Sequence, residues 1–213
     1  MPILVTDFDG TFTRRDYFDL ILERHDPPAG HEAWRRYLDG ETNHIGGIGG
    51  VFASLRTDEK GADALVDALD PAPGTAAAVL RLQRAGWEIV IASAGCGWYI
   101  ERLLARMGLK DIAVHAMPGR FAPETGLVID PVAPRRFADP DLGTDKPAVV
   151  RDALARDGVV AYAGDSNTDR AAALLLPPER RFITGWLGRR LAEEGVPHVP
   201  IAAWPEIADR LLD

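Results

Sequence analysis

The sequence predicts an α/β protein, a parallel sheet wound with helices on both faces, with a helical segment inserted near its start. Three observations predict it. Short apolar runs alternate with amphipathic stretches along most of the 213 residues. The runs are near-continuous in Val, Ile and Ala, as suits strands covered on both faces. Residues 14 to about 72 break the alternation and read as helix after helix with no strand between them.

The first strand is "ILVTD", residues 3–7. "RDYFDLILERHD", "HEAWRRYLDG" and "DEKGADALVDAL" then carry helical patterns, with Pro27–Pro28 as a joint between the first two and "DPAPG" (70–74) closing the segment. The chain is therefore expected to leave its core after the first strand and return at Gly74. That gives a core of residues 1–13 and 74–213 and a helical insertion of residues 14–73. Beyond it, 75–85 predicts a helix, "WEIVIAS" (87–93) a strand and 97–107 a helix. Gly86 and Gly108 stand where a glycine ends a helix. Residues 119–145 are rich in turn dipeptides and predict a β-hairpin around Glu124–Gly126. Helices over 146–156 and 169–176 flank the strand "VVAYAGD" (159–165). "RFIT" (181–184) is a weaker strand, followed by helices over 187–194 and 205–212. Strands alternating with helices form right-handed βαβ units, here a Rossmann-like core.

Composition narrows the class. Apolar residues make up 46% and charged residues 26%, which fits a globular protein with a core. No run approaches the ~18 apolar residues of a membrane span. The start, "MPILVTDFDG", lacks the basic and apolar regions of a secretory signal. The single cysteine, Cys96, precludes an internal disulfide and fits a reducing compartment. A net charge of −8 with dispersed arginines argues against a nucleic-acid or anionic-membrane surface. The histidines, at 25, 31, 44, 115 and 198, show no metal-ligand spacing. The expectation is a soluble, cytoplasmic protein with a small-molecule partner.

The polar residues that end the strands carry the chemistry. Asp7 and Asp9 follow the first strand, Ser93 the second and Asp165 a third, with Asp169 opening the next helix. Ligands of open parallel sheets bind outside the carboxyl ends of the strands, so these side chains are expected on one rim. Carboxylates crowded together raise one another's pKa unless a cation sits between them. Lys146, at the start of a helix, supplies one positive charge. Hard oxygen ligands at this density suit Mg²⁺ as the other. Such a site attracts phosphate, and the Ser93 hydroxyl and the N–H groups of Ala94 and Gly95 are placed to bind it at a helix N-terminus. A carboxylate beside the metal could then attack phosphorus.

"DFDGTFT", "IVIASAG", "DKP" and "GDSNTD", in this order and each at the end of an element, resemble the four motifs of the haloacid dehalogenase superfamily of phosphohydrolases. The resemblance spans essentially the whole chain, and the insertion matches the small helical cap of the phosphoserine-phosphatase-like branch. It implies Asp7 as nucleophile and metal ligand. It implies Asp9 as general acid and base, with its backbone carbonyl on the metal. Thr11 would position that loop, Ser93 and Lys146 would bind the phosphoryl group, Asp165 would ligate Mg²⁺ and Asp169 would support it. The activity implied is hydrolysis of a small phosphomonoester through an aspartyl-phosphate. A phosphomutase or phosphotransferase, or a non-catalytic binder, are the alternatives on this scaffold. Within the branch, "ASAGCGWYIERLLARMGL" and "GWLGRRLAEEGVPHVPIAAWPEI" are similar to the phosphatases of methionine salvage, which act on a methylthiopentenyl phosphate. Val51 stands where phosphoserine phosphatases carry an arginine for the substrate carboxylate, which disfavours phosphoserine.

Three further features compete for a role. Cys96 and Arg102 have the Cys-x5-Arg spacing of thiolate phosphatases, but the residues between them read as helix and Glu101 would repel an anion. "GGIGG" (46–50) lacks nucleotide-binding spacing. It is expected as a flexible loop over the site or a turn between two cap helices. Trp34, Tyr37, His44 and Phe52 are candidates for the substrate side of the cap, or for its core.

Overall fold

The computed structural model describes residues 1–213. Its elements in order are β1 (Ile3–Thr6), α1 (Tyr17–His25), α2 (Pro28–Leu38), α3 (His44–Ser54), α4 (Glu59–Asp67), α5 (Thr75–Arg84), β2 (Glu88–Cys96), α6 (Gly97–Arg106) and β3 (Ile112–Met117). There follow β4 (Gly119–Ala122), β5 (Gly126–Ile129), β6 (Ala138–Asp139), β7 (Gly143–Thr144), α7 (Lys146–Arg156) and β8 (Val160–Gly164). The chain closes with α8 (Arg170–Ala173), β9 (Arg181–Ile183), α9 (Gly185–Glu193), β10 (Val199–Pro200) and α10 (Glu206–Leu212). No helix is long and apolar enough to cross a membrane.

Six strands form one parallel sheet in the order β10-β9-β8-β1-β2-β3. Side chains alternate across β1, yet both faces are apolar. Leu4 packs in one buried cluster with α5, α6 and α10, while Ile3 and Val5 pack in another with α7, α8 and α9. This is why the strand reads as an unbroken apolar run. The first cluster continues without a gap into Tyr17, Leu20, Val51, Phe52 and Leu65 of the helical segment. Register then fixes the rim: Thr6 of β1 stands level with Ile91 of β2 and with Ala163 of β8.

The helical segment agrees with the periodicity at α1, α2 and α4, and Pro28 takes the first turn of α2, where a missing N–H costs nothing. Gly46–Gly50 corrects the expectation of a loop or turn, since all five residues lie within α3. Asn43 caps this helix by accepting from the Gly46 N–H at 2.9 Å. The glycines serve close packing: a Cβ on Gly47 would sit 2.7 Å from Tyr37 Cβ, and one on Gly50 2.3 Å from Ala33 Cβ of α2. The antiparallel hairpin β4–β5 forms where the turn signals place it, around Glu124–Gly126. Two strands of the six-stranded sheet escaped the pattern, β3, an edge strand with His115 in its middle, and the two-residue β10, as did the short pair β6–β7. Residues 169–176, expected as one helix, form only the single α-helical turn of α8, preceded by a 3-10 turn over Asn167–Asp169.

The C-terminal segment is tied to the first strand. Trp204, 1% exposed, packs edge-on to Phe12 at 5.2 Å. Its Nε1 donates to Thr6 Oγ1 at 3.0 Å, and that hydroxyl donates to the carbonyl of Asp7 at 2.8 Å. Trp204→Ala should therefore destabilise the fold by about 3–5 kcal/mol through the cavity it leaves. Trp186→Ala, at a side chain 47% exposed, should cost within about 0.5 kcal/mol. Urea unfolding of the two variants checks the contrast.

Candidate active site

The ends of β1 and β8 deliver Asp7 and Asp165 to one rim, β2 brings Ser93 there two residues past its pairing with β1, and α7 opens beside them at Lys146. The Lys146 side chain is only 2% exposed. Its ammonium lies 2.8 Å from Asp7 Oδ1 and 2.7 Å from Asp169 Oδ1, and donates more weakly to Thr168 Oγ1 at 3.3 Å. Burial alone would lower the lysine pKa, but the charges of Asp169 and Asp7 raise it above the ordinary value. Burial would likewise raise Asp169. The charge and hydrogen bond of Lys146, with donors from Tyr162 and Ser166, instead hold it below the usual carboxylate range.

Asp169 is saturated. Oδ1 accepts from Lys146 and from the Tyr162 hydroxyl at 2.6 Å. Oδ2 accepts from the N–H groups of Asp165 and Ser166 and from Ser166 Oγ. Asp7, Asp165 and Asp169 bring carboxylate oxygens within 4.8 Å of one another. The oxygens without a hydrogen bond from the protein are Oδ2 of Asp7 and Oδ2 of Asp165. Thr11 Oγ1 holds the other Asp165 oxygen at 2.8 Å. Gly10 explains how the loop fits, because its φ is +73° and a Cβ there would lie 2.7 Å from Asp165 Oδ2. Burial and the charge of Asp169 raise Asp7 well above its ordinary value and push Asp165 up to about 7. Two free, mutually repelling carboxylate oxygens on a rigid rim fit a small hard divalent cation. Asp7 and Asp165 could hold it, with Asp169 orienting them rather than ligating.

Asp9 points elsewhere. Oδ1 accepts from the backbone N–H of Tyr17 at 3.1 Å, and Oδ2 from the Tyr99 hydroxyl at 2.6 Å. The Tyr17 and Tyr99 rings stack at 4.4 Å and 3°. Burial pushes the Asp9 carboxyl up to about 6, against the pull of the Tyr99 donor. That places it where a general acid and base works near neutral pH. The Ser93 side chain is buried, and its Oγ accepts from the Gly95 N–H at 2.9 Å. Here the structure corrects the sequence. Strand β2 runs on to Cys96 and α6 begins at Gly97, so Ala94 and Gly95 sit at the end of a strand, not at a helix N-terminus.

A cavity of about 260 Å³ lies over the rim. Asp7, Asp9, Ser93, Ala94, Gly95, Lys146 and Asp165 form its floor, and Asp16, Phe18, Trp34, Tyr37, His44 and Ile48 its far wall. Trp34, Tyr37 and His44 thus stand where the sequence offered them. Phe52 does not: it is buried against Tyr17 and Tyr99, and Val51 is buried core as well. Tyr99, Asp16 and Phe18 went unread. Asp16 and Phe18 had one signal, their place just after the first motif, where the chain leaves the rim. Burial and the charges of Asp9 and Asp165 push the Asp16 carboxyl up to about 8. Cys96 is buried, and burial pushes its thiol up to about 12, while Arg102 pairs with Glu59 and Asp63. The Cys-x5-Arg spacing is therefore coincidental.

Fold and rim define a hydrolase of the phosphate-handling α/β type. The haloacid dehalogenase-like hydrolase family matches residues 4–174, and the chain belongs to that family. It is 26% identical over 209 residues to a 2-hydroxy-3-keto-5-methylthiopentenyl-1-phosphate phosphatase of Brevibacillus brevis, covering 96% of this chain and 92% of that one. Among solved structures, a substrate-bound phosphoserine phosphatase superposes with a TM-score of 0.68 at 13% identity, covering 98% of this chain and 97% of that one. A HAD family hydrolase from Salmonella enterica serovar Typhi gives 0.70 at 18% identity, with 94% of this chain spanning 66% of the other. At these identities the structural likeness is one of fold.

Removing the Tyr99 hydroxyl takes a donor from the ionised form of Asp9, so Tyr99→Phe should raise the Asp9 pKa above about 6. The pH at which kcat/KM for an alkyl phosphate bends on Asp9 should rise accordingly. For p-nitrophenyl phosphate, whose leaving group needs no proton, kcat/KM should show no such dependence on Asp9. Parallel pH profiles of the two substrates measure this.

Proposed function

We propose that the chain is a Mg²⁺-dependent phosphatase that hydrolyses a small phosphomonoester through an aspartyl-phosphate on Asp7. The observation that carries the reading is Lys146 held between Asp7 and Asp169, with Asp165 beside them, under a cavity with an aromatic wall. Lys146 and Ser93 bind the phosphoryl oxygens, and Lys146 aims the Asp7 carboxylate and opposes the rise in its pKa. An Asp7 oxygen attacks phosphorus in line, the bond to the leaving oxygen breaks, and Asp9 gives that oxygen its proton. Asp9, now ionised, takes a proton from water as the water attacks phosphorus. Inorganic phosphate leaves and Asp7 is restored. Asp7, Asp165 and the Asp9 carbonyl would hold Mg²⁺, which would supply positive charge against the phosphoryl oxygens. Thr11 and Asp169 fix the ligands.

Residues 14–73 act as a cap that limits entry and supplies the leaving-group side of the cavity. Methylthiopentenyl phosphate, the substrate named for the Brevibacillus relative, suits this wall. Phe18, Trp34, Tyr37 and Ile48 offer apolar and aromatic contact to a thioether arm. The reducing cytoplasm suits a chain whose single cysteine is a buried free thiol.

The test is phosphate release from methylthiopentenyl phosphate and a panel of small phosphomonoesters. Release should require Mg²⁺, stop with chelator, and fall by about 10⁴-fold or more in Asp7→Asn. Near-normal turnover by Asp7→Asn would refute the assignment of the nucleophile.

A further inference from the structure

Thr6 is a polar residue where β1 is otherwise aliphatic. It is the last residue of the strand, 0% exposed, on the face it shares with Leu4, toward α5, α6 and α10. A valine has nearly the same shape and would pack there with no hydroxyl to satisfy. Two hydrogen bonds answer the hydroxyl instead. Trp204 Nε1 donates to it at 3.0 Å from the turn before α10, and it donates to the carbonyl of Asp7 at 2.8 Å. Three buried residues from opposite ends of the chain thus form one line, which ends on the residue read as the nucleophile.

The carbonyl at the end of that line has no other donor. Strand pairing stops at Thr6, so Asp7 lies beyond the ladder and no backbone N–H reaches its carbonyl. The Asp7 N–H donates to the carbonyl of Ala163 on β8 at 2.8 Å. The sheet therefore holds one side of the Asp7 backbone and the Thr6 hydroxyl the other. Between them they set the direction of the Cα–Cβ bond, which carries the carboxylate to Lys146 at 2.8 Å. Trp204 acts one step further back. Its N–H takes a lone pair of Thr6 Oγ1 and so directs the hydroxyl hydrogen to the Asp7 carbonyl. The indole is itself fixed, edge-on to Phe12 at 5.2 Å, and Phe12 stacks on Phe8 at 5.5 Å. Neither Thr6 nor Trp204 borders the cavity, so an effect of either on the chemistry has to run through Asp7.

We infer that Thr6 and Trp204 are positioning residues for the nucleophile, acting in series from the C-terminal segment through the Thr6 hydroxyl to the Asp7 backbone. The inference rests on the reading of Asp7 as the nucleophile of a phosphatase.

The test compares wild type with Thr6→Val, Thr6→Ser, Trp204→Phe and the Thr6→Val/Trp204→Phe double variant. Its first readout is the dissociation constant of beryllium fluoride with Mg²⁺, a mimic of a phosphoryl group on a carboxylate, followed by fluorine NMR. This reports the aim of Asp7 without turnover and does not depend on the fraction of protein folded. The second readout is kcat and KM for p-nitrophenyl phosphate. Thr6→Val should weaken the adduct and lower kcat, each by at least about tenfold, with KM little changed. Thr6→Ser, which keeps the hydroxyl, should stay close to wild type. Trp204→Phe should weaken the adduct in the wild-type background and add nothing in the Thr6→Val background, because the two act through one bond. An adduct of wild-type affinity in Thr6→Val, a Thr6→Ser variant as weak as Thr6→Val, or effects of the two sites that add in full would overturn the inference. The first two outcomes need only the Thr6 variants, so they decide the matter even where Trp204→Phe does not fold. An adduct that depends on Thr6 in an enzyme that releases no phosphate from any ester would refute the phosphatase reading and leave the role of Thr6 standing. No adduct in the wild type would overturn both.

Discussion

Lys146 is the sole cation among the carboxylates of the rim, and at 2% exposure it is shielded from water. The lysine lowers the pKa of Asp7, Asp165 and Asp169 alike, against burial and, at Asp7 and Asp165, against the charge of Asp169. The lysine does not act alone. Asp169 must be ionised to hold it, and Asp169 is ionised because Tyr162, Ser166 and two backbone N–H groups answer its remaining lone pairs. A buried ion pair stabilises only when such further bonds are complete. The result is a graded set of carboxylates: Asp169 fixed as an anion, Asp7 pressed against the lysine, and Asp165 left with an open oxygen.

Asp9 is handled by a separate device, which joins the core to the helical insertion. Its carboxylate is gripped by a hydroxyl from α6 and a backbone N–H from α1, and the two tyrosines involved stack on each other. The Tyr17 hydroxyl in turn donates to the carbonyl of Ala62 on α4. The orientation of Asp9 thus depends on the seating of the insertion, whereas that of Asp7 depends on the sheet. Two carboxylates two residues apart in sequence are placed by different parts of the fold. This separation suits them to the different tasks proposed for them, bonding to phosphorus and moving a proton.

The sheet and the floor of the site were legible in the sequence for one reason. Strands buried on both faces must be apolar throughout, so the aspartates that end them stand out, and parallel register then brings the ends together. The far wall was less legible. Trp34, Tyr37, His44 and Phe52 all suit either the substrate side or the core of the cap, and the sequence cannot say which of them faces a cavity instead of a neighbouring helix. Phe52 turned inward and Trp34 did not. Tyr99 was silent because an aromatic residue six positions after Ser93 reads as packing, and its hydroxyl finds Asp9 only across the fold. The glycines of α3 misled because glycine signals flexibility in sequence, whereas here it permits two helices to touch.

The central claim is that Asp7, set by Lys146, takes the phosphoryl group. The most direct measurement is to quench the enzyme with acid during turnover, reduce with borohydride and map the peptides. An acyl phosphate on Asp7 would be reduced to homoserine at that position, and the account predicts homoserine at residue 7 alone. Reduction at no site while phosphate is released, or at another carboxylate, would contradict it.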